Sequence, residues 1–398
     1  MKSPIWVVWA LGITQIVGYG TIYYSFGALA PSIARDFGLS EAWVYGALSA
    51  SLLISGFVSP ISGRWADRFG AGRIMVWGSV AAAVSLLATA LAPEAISFVI
   101  ALIAVEVASA FILYATAFVA LAQVDAASAQ RRITQLTLIA GFASTLFWPL
   151  TSGLHAAVGW RGVYLVYAGL NLAICLPIHF WLAPLTRPRP SAKDSAVAIV
   201  PPLVDKDAEG RVIILLLVAF ALMGFVSSAI LVHMLPMLAS LGLGTAGVLV
   251  TTLFGPAQVL SRVVNMRFGI ALSQPGLSML AALLLSSGLV ILALTAPWAP
   301  GAAVFAIIFG FGSGLSIIVA GTLPLALFGA VGYGQRLGWI SFARLGVSAF
   351  APFIFSVVVG WSSTSTTLLL LAGVGVASAG CFFVLWWRYG RRKSRLAG

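Results

Sequence analysis

Twelve stretches of about 20 apolar residues, almost empty of charge, follow one another along this chain. A stretch of that length and character crosses a bilayer as a helix. The runs predict spans at 5–30, 42–62, 74–92, 95–121, 133–156, 162–183, 211–239, 246–266, 275–297, 301–328, 337–360 and 364–388. Backbone groups find no water in hydrocarbon, so helices or a closed barrel are the only spanning structures. Barrel strands would read as alternating segments of roughly ten residues, and these are absent. The expected fold is an all-α membrane protein. Composition agrees: 61% of the 398 residues are hydrophobic and 8% charged, against roughly 25% charged in soluble domains. The 41 glycines suit close helix approach in lipid. Cys175 and Cys381 lie in apolar runs and suggest neither a disulfide framework nor a metal site. Lys2 precedes the first run without a cleavage signature, so that run is expected to be a span and not a removed leader.

The formal charge of +12 does not indicate nucleic-acid binding, because the basic residues sit at the ends of apolar runs. With the N-terminus placed inside, Lys2, Arg64, Arg68, Arg73, Arg131, Arg132, Arg187, Arg189, Lys193, Lys206, Arg211, Arg267, Arg336, Arg388, Arg391, Arg392, Lys393 and Arg395 all fall inside. Arg35 and Arg161 fall outside, and Arg262 and Arg344 fall within spans. This bias supports an even helix count with both termini cytoplasmic, in a plasma membrane of the bacterial inner type.

Residues 184–210 break the apolar pattern with five prolines and a run of charges, and read as a solvated linker. It separates an N-terminal six-helix bundle (1–183) from a C-terminal one (211–398). The halves echo each other. Arg68-Phe69-Gly70 recurs as Arg267-Phe268-Gly269, 199 positions on; Pro31 with Gly38-Leu39 recurs as Pro236 with Gly242-Leu243; Arg132 to Pro149 recurs as Arg336 to Pro352. Duplicated bundles place a ligand site near mid-membrane, at the repeat interface.

The loop after the second run reads Gly63-Arg64-Trp65-Ala66-Asp67-Arg68-Phe69-Gly70-Ala71-Gly72-Arg73. It resembles the signature loop of the major facilitator superfamily in sequence and position, with Ala71 and Gly72 replacing a basic pair. The resemblance implies two six-helix halves working by alternating access, with Gly63, Asp67, Arg68, Gly70 and Arg73 as a latch. Softer features resemble the monocarboxylate porter and oxalate–formate exchanger branch. They are Gly159-Trp160-Arg161, the stretch Gly255 to Arg262, and a base in the eleventh run. That likeness implies that Arg262 and Arg344 hold a carboxylate, with Gln258 the alternative to Arg262 at the family position.

An ionisable group inside a membrane is a functional hypothesis by default. Arg344 lies seven residues into the eleventh run, roughly 10 Å deep. Its guanidinium forks onto carboxylates, or else it snorkels to headgroups. Arg262, five residues before Arg267, divides between a substrate contact and a gate reaching the interface. Glu106, mid-way along the fourth run with no base within a turn, is a candidate proton carrier, and His233 a second. Gln15, Tyr19 and Tyr23 recur every four residues on one helix face, with Tyr24 off that face. These three, and Tyr114 in the fourth run, are candidate cavity residues offering ring and hydroxyl. Gly310, Gly312 and Gly314 lie within an apolar run and read as packing, not as a phosphate loop. No cofactor or metal site and no nucleophile–base pair is expected, so the chain does not read as an enzyme.

The expectation is a secondary transporter of small organic anions, chiefly monocarboxylates, working by proton symport or anion exchange. Its partners are the substrate, protons or a counter-anion, and the bilayer; it is expected to be a monomer. Drug/proton efflux is the alternative within the same fold, and a non-transporting receptor or scaffold the alternative of another class.

Overall fold

The computed structural model describes residues 5–186, 203–268 and 272–390. No strand occurs among them. Most of the linker (187–202), with Arg187, Arg189 and Lys193, lies outside the described residues, as do Lys2, Gly269 and the tail residues Arg391, Arg392, Lys393 and Arg395.

The first four helices are α1 (Ile5–Asp36), α2 (Glu41–Phe69), α3 (Ala71–Leu91) and α4 (Ala95–Val124). Each boundary has a local cause. Ser40 caps α2, its hydroxyl accepting from the Trp43 N–H at 3.2 Å, and Gly70 ends that helix at φ 94°, where a side chain is strained. Glu94 and Ser97 form a reciprocal capping box at the start of α4.

The next helical run, Ala129–Leu185, has 57 residues. As one helix it would be roughly 85 Å long, far more than a bilayer needs. Gly159 divides it, with φ 68° and ψ 174°, values foreign to any helix. Residues 129–158 are α5 and 160–185 are α6. After the linker come α7 (Lys206–Ser240), α8 (Gly244–Phe268), α9 (Gln274–Thr295), α10 (Ala299–Phe328), α11 (Tyr333–Trp361) and α12 (Thr364–Gly390). The twelve spans of the sequence are therefore present.

The outer surface is apolar: Trp361, Trp77 and Phe353 are 86%, 73% and 70% exposed. Water would not tolerate so many bare large side chains, and lipid does. Prolines lie inside several helices, among them Pro31, Pro60, Pro149, Pro236, Pro256, Pro324 and Pro352.

The chain forms two compact units. Met1–Val200 with Ala330–Phe342 make the first, and Pro201–Gly329 with Ala343–Gly398 make the second. The start of α11 therefore packs with the first unit. The first unit's core holds Phe26, Phe98, Trp160, Tyr164 and Tyr167. In the second, glycines draw helices together, as expected for Gly310, Gly312 and Gly314. A Cβ on Gly310 would meet Ala257 and the Phe254 carbonyl of α8; one on Gly312 would meet the backbone of Ala281 and Leu285 in α9.

Candidate functional site: an α2–α11 junction and two sets of intramembrane polar groups

The signature loop is organised by backbone close approach. Gly63 faces the Gly334 carbonyl and Gly338 faces Ser59 and Pro60, with no room for a Cβ at either. This brings the last turn of α2 against the first turn of α11. There Asp67 Oδ1 accepts from the Gly334 N–H at 2.9 Å and Oδ2 from the Gln335 N–H at 2.8 Å. The first N–H groups of a helix have no partner within it, and a carboxylate there also meets the positive end of the helix dipole. Asp67 thus caps α11 from a different helix.

The rest of the loop is held separately. Gln123 of α4 clasps the turn, its Nε2 donating to the Ala66 carbonyl and its Oε1 accepting from the Ala71 N–H, both at 2.8 Å. Thr186 at the end of α6 crosses Gly70 and Gly72, and its hydroxyl accepts from the Gly72 N–H at 2.8 Å. A long basic side chain at 72 has no space, which explains the departure from the family pattern. Arg68 is exposed and lies over Phe69 at 5.2 Å, and Arg73 is exposed. Neither joins Asp67 in its cap.

Gly159-Trp160-Arg161 has a structural role. Arg161 pairs with Asp36 at 3.0 Å and donates to the carbonyls of Ala90 and Ala92 at 3.0 and 2.6 Å. Its guanidinium lies 4.3 Å from the Trp160 ring. It ties α1, α3 and α6 together at the end opposite the α2–α3 turn.

Two irregularities shape the first unit. Residues Tyr19–Tyr24 of α1 form a π-helical turn, in which residues five apart come to the same face. Tyr24 therefore joins the cluster and does not point away, as regular helix spacing predicts. Its ring lies 6.4 Å from Tyr19 and 5.3 Å from Tyr23, and Tyr19 lies 4.6 Å from Tyr114. Trp148 and Phe118 extend the group.

The second irregularity breaks α4 at Leu113, whose ψ is −169°. In a continuous helix the Ile112 carbonyl would accept from the Thr116 N–H. That N–H turns instead to Leu113 O, at 3.1 Å. Gln15 fills the gap, its Nε2 donating to Ile112 O at 2.8 Å. Ala110 O accepts from Ser62 Oγ at 2.7 Å and Thr116 Oγ1 at 3.1 Å. No proline or glycine adjoins Leu113, so the usual sequence markers of a kink are missing. Gln15 is thus fully buried and reaches α4.

Glu106 sits two turns before the break. It is 3% exposed and makes no ion pair among the described residues. Its backbone carbonyl accepts from Ser109 Oγ at 2.6 Å and from Ser55 Oγ of α2 at 2.7 Å. Further into the unit, Asn171 Nδ2 donates to Thr21 Oγ1 at 3.1 Å, and the Tyr167 hydroxyl meets Thr151 Oγ1 at 2.5 Å.

In the second unit the polar groups are cationic or neutral. Because α11 begins at Tyr333, Arg344 lies 11 residues in, roughly 16 Å along the axis and deeper than the apolar run alone suggests. It is half-buried, with no hydrogen bond or ion pair among the described residues. Arg262 is 2% exposed; it is packed inside the unit and not open at the interface. Gln258, one turn before it, donates to Ser313 Oγ of α10 at 2.7 Å. His233 Nε2 meets the Pro352 carbonyl at 3.0 Å and stacks on Phe355. A carbonyl only accepts, so that nitrogen carries the proton. After Glu209 the chain contains no Asp or Glu at all.

Twelve spans, an Asp-capped α2–α11 junction and helices broken within the membrane set the frame for comparison. Residues 11–344 match the Major Facilitator Superfamily. The chain belongs to that superfamily. This makes it a transporter and not an enzyme, integral to a membrane. No curated protein sequence matches it. Among solved structures, the human organic anion transporter MFSD10 (TETRAN) is similar at TM-score 0.70 and 14% identity, covering 96% of this chain and 99% of that one. The proton:xylose symporter XylE, bound to 6-bromo-6-deoxy-D-glucose, gives TM-score 0.73 and 14% identity over 96% and 95% of the chains. The E.coli fucose:proton symporter FucP gives 0.71 and 12% over 96% and 99%. At such identities the likeness establishes the fold alone.

Proposed function

We propose that this protein is a secondary transporter of small organic anions, monocarboxylates first among them, that couples their movement to protons or to a counter-anion. The observation that carries this reading is Arg344: a guanidinium half-way along a membrane helix, with no hydrogen-bond or ion-pair partner among the described residues and no acidic residue in the chain after Glu209. An arginine stays charged in a protein, and an unpaired charge in a bilayer is costly. A carboxylate from outside the protein supplies two parallel hydrogen bonds and neutralises it. The fold is shared by an organic anion transporter and by sugar:proton symporters, so it is compatible with anion substrates and with proton coupling without selecting either.

Within this reading the two six-helix halves rock about the substrate, and Asp67 latches one closed state by capping α11. Glu106, buried and without an ion pair among the described residues, is the candidate proton carrier. The latch end is the cytoplasmic one in this reading, which the bias of basic residues supports.

The test is flux in proteoliposomes loaded with a pH-sensitive dye, using a panel of acetate, pyruvate and benzoate with and without a proton gradient. Internal acidification by one of them is expected, lost in Arg344→Ala and strongly reduced in Arg344→Lys, since lysine cannot fork. Normal affinity and rate in Arg344→Lys would overturn the role of the guanidinium. A second reading, efflux of larger aromatic compounds, draws on the ring cluster Tyr19, Tyr23, Tyr24, Tyr114 and Trp148. It predicts silence with the carboxylate panel and proton release on addition of such compounds.

A further inference from the structure

α7 and α11 meet along a seam of small and polar residues within the second unit. On α7 these are Gly224, Ser228 and His233; on α11 they are Arg344, Ser348 and Pro352. The seam has a physical cause at each level. Pro352 has no N–H, so the carbonyl four residues earlier, on Ser348, loses its helical partner, and Ser228 Oγ donates to it at 2.9 Å. His233 serves the Pro352 carbonyl one turn on.

At Gly224 the seam offers space where its other positions offer a bond. A Cβ there would lie 2.6 Å from Arg344 Cγ and 2.9 Å from Ser348 Oγ, and 3.5 Å from the Arg344 carbonyl. The glycine is a notch, and the root of the arginine side chain occupies it. This differs from Gly312, where helix backbones themselves close together.

We propose that Gly224 is a positioning residue for the anion anchor: its missing side chain seats the stem of Arg344 and so holds the guanidinium at mid-helix. The proposal rests on the reading that Arg344 holds the substrate's carboxylate. Cγ is the first atom beyond Cβ, so it leaves the notch only by rotation about χ1. In a helix few χ1 values are open, and such a rotation swings the guanidinium through several ångströms. Freed from the notch, the long side chain drifts toward the membrane surface as exposed arginines do. A methyl group on α7 thereby changes the place of a charge on α11 without touching the substrate.

The test compares wild type, Gly224→Ala, Ser228→Ala and Arg344→Ala in proteoliposomes, using whichever of acetate, pyruvate and benzoate is carried fastest. Gly224→Ala is expected to raise KM roughly tenfold, the size of one lost charge-assisted hydrogen bond, with kcat within about twofold of wild type. Ser228→Ala alters the same seam without entering the notch, and its KM should stay at the wild-type value. An unchanged KM in Gly224→Ala, or a fall in kcat alone, overturns the proposal, because a purely structural glycine would act that way. If Gly224→Ala does not fold, Gly224→Ala/Ser348→Gly, which removes the added methyl's second contact, is compared with Ser348→Gly by the same criterion. Should Arg344→Ala transport as well as wild type, or none of the three acids be carried, the anchor reading fails and this proposal falls with it. Inactive Arg344→Ala beside unaltered Gly224→Ala would sink the positioning role alone.

Discussion

The two units bury different kinds of polar group. In the first they include amides, hydroxyls, the His179 imidazole and one carboxyl: Gln15, Thr21, Glu106, Tyr167, Asn171 and His179. In the second they include arginines, Arg262 fully buried and Arg344 half so, on helices that carry no acid. Neutral groups satisfy one another over short distances, as Asn171 does with Thr21. Arg344 has no carboxylate on its own helix and no hydrogen bond or ion pair among the described residues. On the function proposed above, the contrast is a division of labour, with proton traffic in the first unit and anion capture in the second.

The sharpest way to break that contrast is Glu106→Gln. The substitution keeps shape and removes the titratable proton. Gradient-driven acidification is expected to vanish while exchange between substrate-loaded and substrate-free sides persists, measured as counterflow of labelled acid. Full proton coupling in this variant would end the division of labour. Next in size is Asp67→Ala, which leaves the Gly334 and Gln335 N–H groups without their carboxylate. Turnover should fall roughly tenfold, in line with two lost charge-assisted bonds partly replaced by water, and single-turnover substrate binding should change little. An unchanged turnover would reduce the junction to a packing contact.

Smaller effects probe the first unit's frame. Gln15→Leu leaves the buried Ile112 carbonyl unbonded, at a cost of about 1–3 kcal/mol; a lowered thermal midpoint in detergent checks this. An unaltered midpoint would mean that α4 has healed its break without the amide. The smallest is Arg161→Lys. Its ion pair with Asp36 is 38% and 45% exposed and worth at most about 1 kcal/mol, so most of the loss should come from the two carbonyl contacts. The midpoint should drop by less than in Gln15→Leu, with KM unaffected.

Much of the architecture was legible from the order of residues. Hydrophobic runs gave the helix number, basic residues marked the run ends, and the Gly63–Arg73 loop pointed to the superfamily. Packing at Gly310, Gly312 and Gly314 was also readable, since glycines inside an apolar run have few other uses. What stayed hidden depends on contacts made across the fold. Regular spacing places Tyr24 off the Tyr19 face, and only the π turn of α1 brings it back. The break at Leu113 has no breaker residue beside it; its makers are Gln15, Ser62 and Thr116. For Asp67 the loop marks a latch but not its hydrogen-bond donors, which are peptide N–H groups 267 and 268 residues away. Such donors carry no letter in a sequence.

The break in α4 bears on how the protein is made. A helix leaving the ribosome with bare carbonyls near its middle settles poorly in lipid, because nothing there can donate to them. The donors that meet them from other helices are Gln15 of α1 and Ser62 of α2, and both are synthesised before α4. The fourth span therefore arrives to find its hydrogen-bond donors already in the membrane. Biogenesis can proceed from the N-terminus forward, with the earliest helices acting as the template on which the irregular one acquires its shape.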